Sequence, residues 1–390
     1  MMIPERPALE RRVLSALEGG GSGSPRIPVL LGGCGSGRTS ILLRLRDLIG
    51  RSQAQYLDIE RIATTPERFL KSMREASPFP AHTYGTAGAE QGARDAFDAS
   101  LAFLDTARAP GDAPATFLLD EFLELRTFES FPGLRSVLRD LVGALSSSGN
   151  RFVLTTRYVA RAHRLLRDAP SLFEIIHVAP LSPAEIRATI ASPQGSRHED
   201  DPRRDDLVRI VHALSSGRPA YARMIAEAAT AMAPRGGEDP VGALVSLLAP
   251  GGALANACRF CYELRLHRAR GYGALKAILD VLAGEEPLTL TEIAIRLLRT
   301  PGSTKDYLSW LEDVDLVVSR RKRYSFADPM LRLWVRLHCR STLPTEEEIA
   351  REVHSYVLSH LTAAEPALAL AGTSEPVAAT EKSWGIIEID

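Results

Sequence analysis

The chain has 390 residues, of which 45% are hydrophobic and 24% charged, and its formal net charge is −1. This composition is typical of a soluble globular protein of two or three domains. It excludes a general electrostatic attraction to nucleic acid, so any such binding depends on a local basic patch. The sequence has no apolar run long enough to cross a bilayer and no signal peptide, so we expect a cytoplasmic protein without a membrane partner.

A short amphipathic helix is predicted over residues 8–17, and a glycine- and serine-rich connector over 19–24 follows it. An apolar strand beginning at Ile27 then enters a glycine-rich segment, and an apolar helix comes after it. The segment matches the phosphate-binding pattern G-x-x-x-x-G-K-[ST] at every fixed position except one, because Arg38 replaces the lysine. We predict that it binds a nucleotide polyphosphate through Gly32, Gly33, Cys34, Gly35, Ser36, Gly37, Arg38, Thr39 and Ser40.

The physical basis of this prediction is the shape of the loop. Glycines accept positive φ, which lets backbone amides converge on a phosphate, and the helix that follows adds the positive end of its dipole. Thr39 is placed to offer its hydroxyl to Mg²⁺. Arg38 keeps the charge of a lysine but is planar, forked and larger, which leaves its fit open. The alternative is a glycine-rich turn without a ligand, which the flanking strand and helix disfavour.

The four cysteines indicate neither a disulfide framework nor a zinc site. Cys34 lies inside the glycine-rich loop, where a redox role and a small filler residue are both open and the filler is favoured. Cys258 and Cys261 have the spacing of one helical face, and Cys339 stands alone.

A second group of candidate residues follows an apolar strand predicted over 115–119. Asp120 and Glu121 come directly after it, and we predict that Asp120 holds Mg²⁺ through water while Glu121 polarises the attacking water. An ordinary strand end is the alternative. The next strand, over 151–154, ends at Thr155-Thr156, one of which would hydrogen-bond the attacking water or the γ-phosphate.

Further strands are predicted over 55–59 and 173–178, with helices over 67–75, 92–107 and 134–145. Five strands that alternate with helices predict an α/β fold with a doubly wound, mainly parallel sheet. Three arginines follow the fourth strand and are either charge-neutralising fingers for a neighbouring subunit or, the favoured alternative, surface residues. They are Arg157, Arg161 and Arg164.

The middle of the chain predicts a small helical lid. Helices over 207–214 and 220–229 flank the turn Ser215–Pro219, and Arg218 or Arg223 would reach the γ-phosphate. The polar stretch 194–205 is predicted to be a loop, and 234–239 a boundary. The expected domains are an ATPase-type core over 1–180, the lid over 181–235, a helical connector over 236–272, a winged helix-turn-helix over 273–340, a helix over 341–362 and a disordered tail over 363–390.

The winged helix-turn-helix prediction rests on three helices, over 275–282, 288–298 and 303–311 with Ser303 as the cap of the third, and on a β-hairpin. The hairpin tip is basic and suits a DNA backbone: Arg320, Arg321, Lys322 and Arg323. The third helix is acidic, which disfavours entry into a major groove and leaves contact with a protein equally open. The end of the tail, 384–390, either adds to a sheet edge or is disordered.

The ordered motifs resemble the archaeal-type ATPase family of the AAA+/STAND group, which is also found in bacteria, and we expect a bacterial member. The motifs are Gly32–Thr39, Asp120-Glu121, Thr155-Thr156, Pro180-Leu181-Ser182, Gly217-Arg218-Pro219 and Phe326–Pro329 with Leu331 and Trp334. The resemblance implies ATP binding with Mg²⁺, a nucleotide-dependent switch and a winged-helix domain that often binds DNA or partners. From their positions in the sequence, we predict Thr39 and Asp120 at the metal and Glu121, Thr156 and Arg218 in catalysis.

Three functions are open at this point. The first is a regulatory ATPase that couples Mg-ATP to the winged helix, the second a non-hydrolysing ATP-binding switch or scaffold, and the third an ATP-dependent DNA-binding protein. This sequence departs from the family pattern at Arg38, on which hydrolysis depends. Binding of a protein through the winged helix or tail, and self-association, are further expectations. A GTPase is disfavoured because the chain lacks an N-K-x-D motif.

Overall fold

The computed structural model describes residues 5–19, 24–83, 92–190, 202–232, 238–267 and 271–371. The strands are β1 Ile27–Leu31, β2 Ala54–Asp58, β3 Arg108–Ala109, β4 Ala113–Pro114, β5 Thr116–Asp120, β6 Arg151–Thr156, β7 Phe173–His177, β8 Leu288–Thr289, β9 Val317–Arg320 and β10 Arg323–Phe326. The first eight α-helices are α1 Pro7–Glu18, α2 Arg38–Ile49, α3 Ile59–Ile62, α4 Pro66–Glu75, α5 Ala93–Thr106, α6 Val137–Ser147, α7 Val159–Leu166 and α8 Pro183–Ile190.

The remaining α-helices are α9 Pro202–Ser215, α10 Pro219–Ala231, α11 Pro240–Leu248, α12 Ala253–His267, α13 Tyr272–Gly284, α14 Leu290–Arg296, α15 Pro301–Asp313, α16 Pro329–His338 and α17 Glu346–Ala371. Two 3₁₀ segments, Ala81–Thr83 and Phe122–Ser130, complete the helical elements of the described residues.

The central sheet has the order β2-β5-β6-β1-β7, and every neighbouring pair is parallel. Alternate residues of the strands face opposite layers, as the two-residue repeat of a strand requires. Leu30 and Val153 share one core with α1 and α2, whereas Val29 and Phe117 belong to the larger core on the other face. The predicted doubly wound parallel sheet is confirmed.

The lid consists of α8, α9 and α10, and the tight turn between α9 and α10 contacts the segment that leaves the sheet. Gly217 has φ +66°, and a Cβ there would lie 2.7 Å from the Leu181 carbonyl oxygen, so only glycine fits. The Gly217 carbonyl accepts the Leu181 amide at 2.7 Å, which fixes the lid against the segment that leaves β7. Arg218 follows this turn and is thereby held above the glycine-rich loop.

The C-terminal unit, defined as residues 272–326, contains α13, α14 and α15 and a three-stranded antiparallel sheet of order β8-β10-β9. These are the elements that the sequence predicts for a winged helix-turn-helix. The unit is attached to the core at α7, where the Val159 amide donates to the Asp315 carboxylate at 2.6 Å and Arg164 pairs with Asp313.

Several predicted boundaries of helices and strands are wrong. Residues 202–205 begin α9 instead of continuing a loop, and Leu288-Thr289 pair as β8 with β10 instead of starting α14. The cap of α15 is Thr300, whose hydroxyl accepts the Ser303 amide, and not Ser303. Residues 363–371, predicted as disordered, continue α17, which starts at Glu346 rather than at 341.

Other expectations lie outside the described residues. They are residues 20–23 of the connector, residues 194–201 of the predicted loop, residues 234–237 of the predicted boundary, and the tail beyond Ala371 with its predicted terminal strand. Among the described helices, none alone has the length and apolar character to cross a membrane. The pair α11 and α12, bent by 51°, passes that test together on length and composition.

Candidate functional site

The carboxyl ends of β1, β5 and β6 meet at one edge of the sheet, and the predicted site residues lie there. Parallel pairing places Leu31 opposite Thr156, and Asp58 opposite Asp120. The glycine-rich loop leaves β1 at this edge and ends at Gly37, whose φ of +87° starts α2 with its amide end toward the loop.

Arg38 is buried and folds back onto the loop. One of its terminal nitrogens donates to the Gly33 carbonyl at 2.6 Å, to Ser36 Oγ at 2.9 Å and to the Gly32 carbonyl. The other donates to Glu121 Oε1 at 2.5 Å. The guanidinium therefore joins the loop to the end of β5, a span that a forked side chain makes possible.

Thr39 and Asp120 form the oxygen-rich corner of the site. The Thr39 hydroxyl donates to Asp120 Oδ2 at 2.6 Å, Tyr56 donates to the same oxygen at 2.9 Å, and Thr155 donates to Oδ1. A hydroxyl and a carboxylate beside a phosphate-binding loop are the ligand types that Mg²⁺ prefers. These residues fit the predicted magnesium site, in which Thr39 and Asp120 would hold the ion directly or through water.

Glu121 is a buried carboxylate held between two arginines. It lies 2.5 Å from Arg38 and 3.1 Å from Arg157 Nε, and its second oxygen accepts the Arg157 amide at 3.0 Å. Burial acts to raise the pKa of Glu121, but the charges of Arg38 and Arg157 outweigh it, so the pKa lies below its ordinary value. Glu121 also has φ +55°, a left-handed backbone that costs a non-glycine residue energy and is typical of functional sites.

Arg218 lies at the start of α10 in the lid and joins the loop to the C-terminal part of the chain, which we define as the C-terminal unit and the residues that follow it. It donates to the Cys34 carbonyl at 2.7 Å and to the Ala327 carbonyl at 3.0 Å, and it lies 3.4 Å from the Asp328 carboxylate. Asp328 is buried and caps α16, and Tyr221 of the lid donates to it at 2.7 Å. One guanidinium of the lid therefore contacts both the glycine-rich loop and the C-terminal part.

A cleft of about 370 Å³ opens beside this arginine. Its walls include Gly33 of the loop, Pro180 after β7, Arg218 of the lid, and Arg320 and Phe326 of the C-terminal unit. The volume lies in the range of small-molecule sites, about 300–1,000 Å³. A larger cavity of about 660 Å³ lies between α12, α13 and α16. It is lined by acidic and basic side chains and by no residue of the glycine-rich loop. Chemistry rather than volume therefore identifies the cleft as the candidate site.

The predicted site residues are largely brought together, with two differences. Thr155 donates to Asp120, whereas the Thr156 hydroxyl accepts the Tyr158 amide. Of the two threonines, Thr155 is therefore the one that contacts a predicted site residue. Arg157 is buried against Glu121 and Glu60 and is not the surface residue expected. The catalytic roles of Glu121, Thr156 and Arg218 stay predictions.

Two residues that contact the candidate site, Tyr56 and Arg265, were not predicted from the sequence. Tyr56 lies two residues before the end of β2, which placed it too early to be counted with the strand-end residues. Arg265 donates to Cys34 Sγ at 2.9 Å from α12. The available signal was its spacing, because positions 258, 262 and 265 recur on one buried face of that helix.

No protein-family model matches the chain, and no curated protein matches it. Among solved structures, a Walker-type ATPase of Pyrococcus abyssi is similar over 86% of this chain and 96% of its own, with 18% identity and a TM-score of 0.60. The Aeropyrum pernix ORC1 protein in complex with DNA covers 94% and 95%, with 18% identity and a TM-score of 0.42. Pyrobaculum aerophilum Cdc6p covers 92% and 97%, with 14% identity and a TM-score of 0.41. The likeness to the Pyrococcus abyssi protein agrees with the AAA+ P-loop fold.

Proposed function

We propose that the chain is an AAA+-type regulatory ATPase or switch that binds Mg-ATP between core, lid and C-terminal unit. The observation that carries this proposal is the position of Arg218, which bonds the loop at Cys34 and the C-terminal part at Ala327 and Asp328. A ligand phosphate at the loop would therefore act on the residue that holds the C-terminal part in place.

The chain's own groups can perform the binding step. Loop amides and the start of α2 would attract the phosphates, and Thr39 and Asp120 would hold a metal ion that screens the charge of the phosphate oxygens. Arg218 would exchange its bond to the neutral Cys34 carbonyl for a charged phosphate oxygen, which is the stronger acceptor. Its remaining donors can keep Ala327 and Asp328, so binding would tie the C-terminal part more firmly to the core.

Hydrolysis would require Glu121 to accept a proton from water. In the structure both of its oxygens are engaged by Arg38 and Arg157, and its lowered pKa makes it a weak base. This arrangement supports the second candidate, a switch that binds ATP and turns it over slowly or not at all. Phosphate release that Glu121→Gln abolishes would favour the ATPase, whereas binding without turnover would favour the switch.

Two glycines of α2 provide a matched test of binding. Gly37 begins the helix with φ +87° and Gly50 ends it with φ +107°, so alanine strains the backbone at both positions. Only Gly37 belongs to the loop, where an added Cβ would meet Pro219 at 3.3 Å. In calorimetric titrations with Mg-ATP, we expect Gly37→Ala to lose binding and Gly50→Ala to keep it. Equal affinities in both variants, or no binding by the wild type, would contradict the proposal.

Binding to DNA is the third candidate, and the basic hairpin tip supports it. Arg320, Arg321, Lys322 and Arg323 are all exposed, and the two central residues have positive φ and form the turn. Each lost phosphate contact lowers the slope of log K against log salt by about 0.9. We expect neutralising Arg321 and Lys322 to reduce that slope by about 2. An unchanged slope would exclude the hairpin from DNA binding and leave a protein partner.

A further inference from the structure

The glycine-rich loop carries a second chemical group besides its amides. Cys34 of the loop faces α12, where Arg265 donates to its sulfur at 2.9 Å, and Cys261 lies one helical turn before that arginine and beside Cys34. Both cysteines are partly exposed, whereas the nearby Cys258 is buried. Helix α12 thus brings a thiol directly against the loop.

A buried arginine accompanies the thiol pair. Arg265 lies one turn after Cys261 on α12, and its side chain donates to Cys34 Sγ at 2.9 Å and to the Asp315 backbone carbonyl at 2.7 Å. A guanidinium that is 3% exposed needs a nearby negative charge, because burying an unpaired ion is unfavourable. A Cys34 thiolate would supply that charge at hydrogen-bonding distance, in addition to the Asp315 carboxylate.

The surroundings of the two sulfurs shift their pKa values in opposite directions. The Cys261 hydrogen bond lowers the pKa of Cys34 well below its ordinary value, burial opposes this, and Arg265, Arg157 and Arg38 add to it. The pKa of Cys261 is raised, chiefly by the same hydrogen bond. One sulfur is thus a nucleophile and the other a neutral thiol beside it, the arrangement found in reactive cysteine pairs.

We propose that Cys34 and Cys261 are a peroxide-oxidised thiol pair whose disulfide locks the glycine-rich loop to α12. The Cys34 thiolate attacks one oxygen of hydrogen peroxide, an S–O bond forms, the O–O bond breaks, and hydroxide leaves and takes a proton from solvent. The Cys261 sulfur then attacks the Cys34 sulfenic acid, the S–S bond forms, and the S–O bond breaks. The leaving hydroxide takes the Cys261 proton, so two thiols are oxidised and one peroxide becomes two waters.

The disulfide would act on the loop itself. An S–S bond of about 2.05 Å is shorter than any hydrogen bond between thiols, so Cys34 must move toward α12. The thiolate that attracts Arg265 disappears in the same step. Since the Cys34 carbonyl is also held by Arg218, the loop would be displaced between two anchors. The expected loss of nucleotide affinity rests on the function proposed above, whereas disulfide formation does not.

Peptide mapping of the full chain tests the disulfide directly. After treatment of the reduced protein with stoichiometric hydrogen peroxide, we expect a cross-linked peptide pair containing Cys34 and Cys261, two hydrogens lighter than the separate peptides. Cys258→Ser and Cys339→Ser are matched controls that should give the same cross-link. Cys261→Ser should stop at a Cys34 sulfenic acid that dimedone traps. A free Cys34 after treatment, or a cross-link to Cys258 or between two chains, would overturn the proposal.

A titration with a fluorescent ATP analogue tests the consequence. We expect the oxidised wild type and oxidised Cys339→Ser to bind at least tenfold more weakly than their reduced forms, with recovery in dithiothreitol. A disulfide that forms without any change in affinity would overturn the control of the loop. A reduced protein that binds no nucleotide would refute the proposed function, while the peptide map would still decide the thiol pair.

Discussion

Replacing Arg38 with lysine tests whether this arginine keeps Glu121 from acting as a base. The guanidinium reaches Glu121 with one terminal nitrogen at 2.5 Å, while the other contacts the Gly33 carbonyl at 2.6 Å. A lysine ammonium is a compact charge at one point, so it can follow the loop or the carboxylate but not both. In Arg38→Lys, we expect the ammonium group to stay with the glycine-rich loop, so that it no longer contacts Glu121.

The magnitude follows from the contacts that remain. A hydrogen bond to a charged group contributes about 1.5–3 kcal/mol to stability. Because Arg157 still contacts Glu121 through Nε at 3.1 Å and through its amide at 3.0 Å, we expect the free energy of unfolding to fall by only ~1.5 kcal/mol. The pKa of Glu121 then rises toward its ordinary value. General bases contribute about 10²–10⁴-fold to rate, so we expect phosphate release to rise at least ~10-fold.

The assay compares phosphate release and Mg-ATP affinity in the wild type and three variants. Arg44→Lys is the matched control, since Arg44 lies on the same helix but pairs with Glu10 and Glu5 away from the loop. Adding Glu121→Gln to Arg38→Lys should remove the gain. If Arg38→Lys binds ATP but gives no increase, or if the gain survives Glu121→Gln, the view that Arg38 restrains Glu121 is refuted.

Three further predictions concern the metal, the lid and the attachment of the C-terminal unit. Thr39→Val removes the hydroxyl that contacts Asp120, so nucleotide affinity should fall ~10–100-fold with Mg²⁺ and stay unchanged in EDTA, measured by calorimetry. In the wild type, we expect Mg-ATP to protect the segment between β10 and α16 from protease, because Arg218 contacts Ala327 and Asp328 there. Arg218→Ala should abolish this protection. Asp315→Asn should change the pH dependence of unfolding, because burial raises the pKa of Asp315 to about 7, with Arg265 and two backbone amides opposing.

The sign of the Asp315 prediction follows from proton linkage. The folded protein keeps this proton to higher pH than the unfolded chain, so the wild type loses stability as pH rises from about 4 to about 7. The change from 3.8 to about 7 corresponds to at most roughly 4 kcal/mol. Asp315→Asn should lack this loss in urea unfolding, and parallel curves for both proteins would contradict it. A loss of affinity in Thr39→Val that persists in EDTA, or protection retained in Arg218→Ala, would contradict the other two.

The parts of the fold that could be predicted are those whose pattern is local. The buried runs of β1 and β5 and the glycines between β1 and α2 identify a P-loop core because strand, turn and helix follow within a few residues. The strands β3 and β4, of two residues each, were not predicted, because two residues show no periodicity. Leu288-Thr289 were assigned to a helix because their extended state depends on pairing with β10, far along the chain.

In the candidate site too, contacts between residues far apart in the sequence could not be predicted. Thr39, Asp120 and Glu121 could be placed from motif spacing alone. The engagement of Glu121 by Arg38 and Arg157 could not, because it depends on how the end of β5 meets the turn after β6. The contact between Cys34 and α12 was likewise hidden, since nothing in the spacing of residues 34 and 261 relates them.

Four arginines surround the loop, and the partners they hold determine how it responds to an anion. Arg38 and Arg157 share the Glu121 carboxylate, and Arg265 donates to the Cys34 sulfur, so the side chains of these three already have partners at the loop or beside it. Arg218 is different, since its loop contact at 2.7 Å is a neutral carbonyl and its carboxylate, on Asp328, is 3.4 Å away. An arriving phosphate therefore competes most easily for Arg218, the arginine attached to the C-terminal part, so nucleotide sensing is expected there rather than at Arg38.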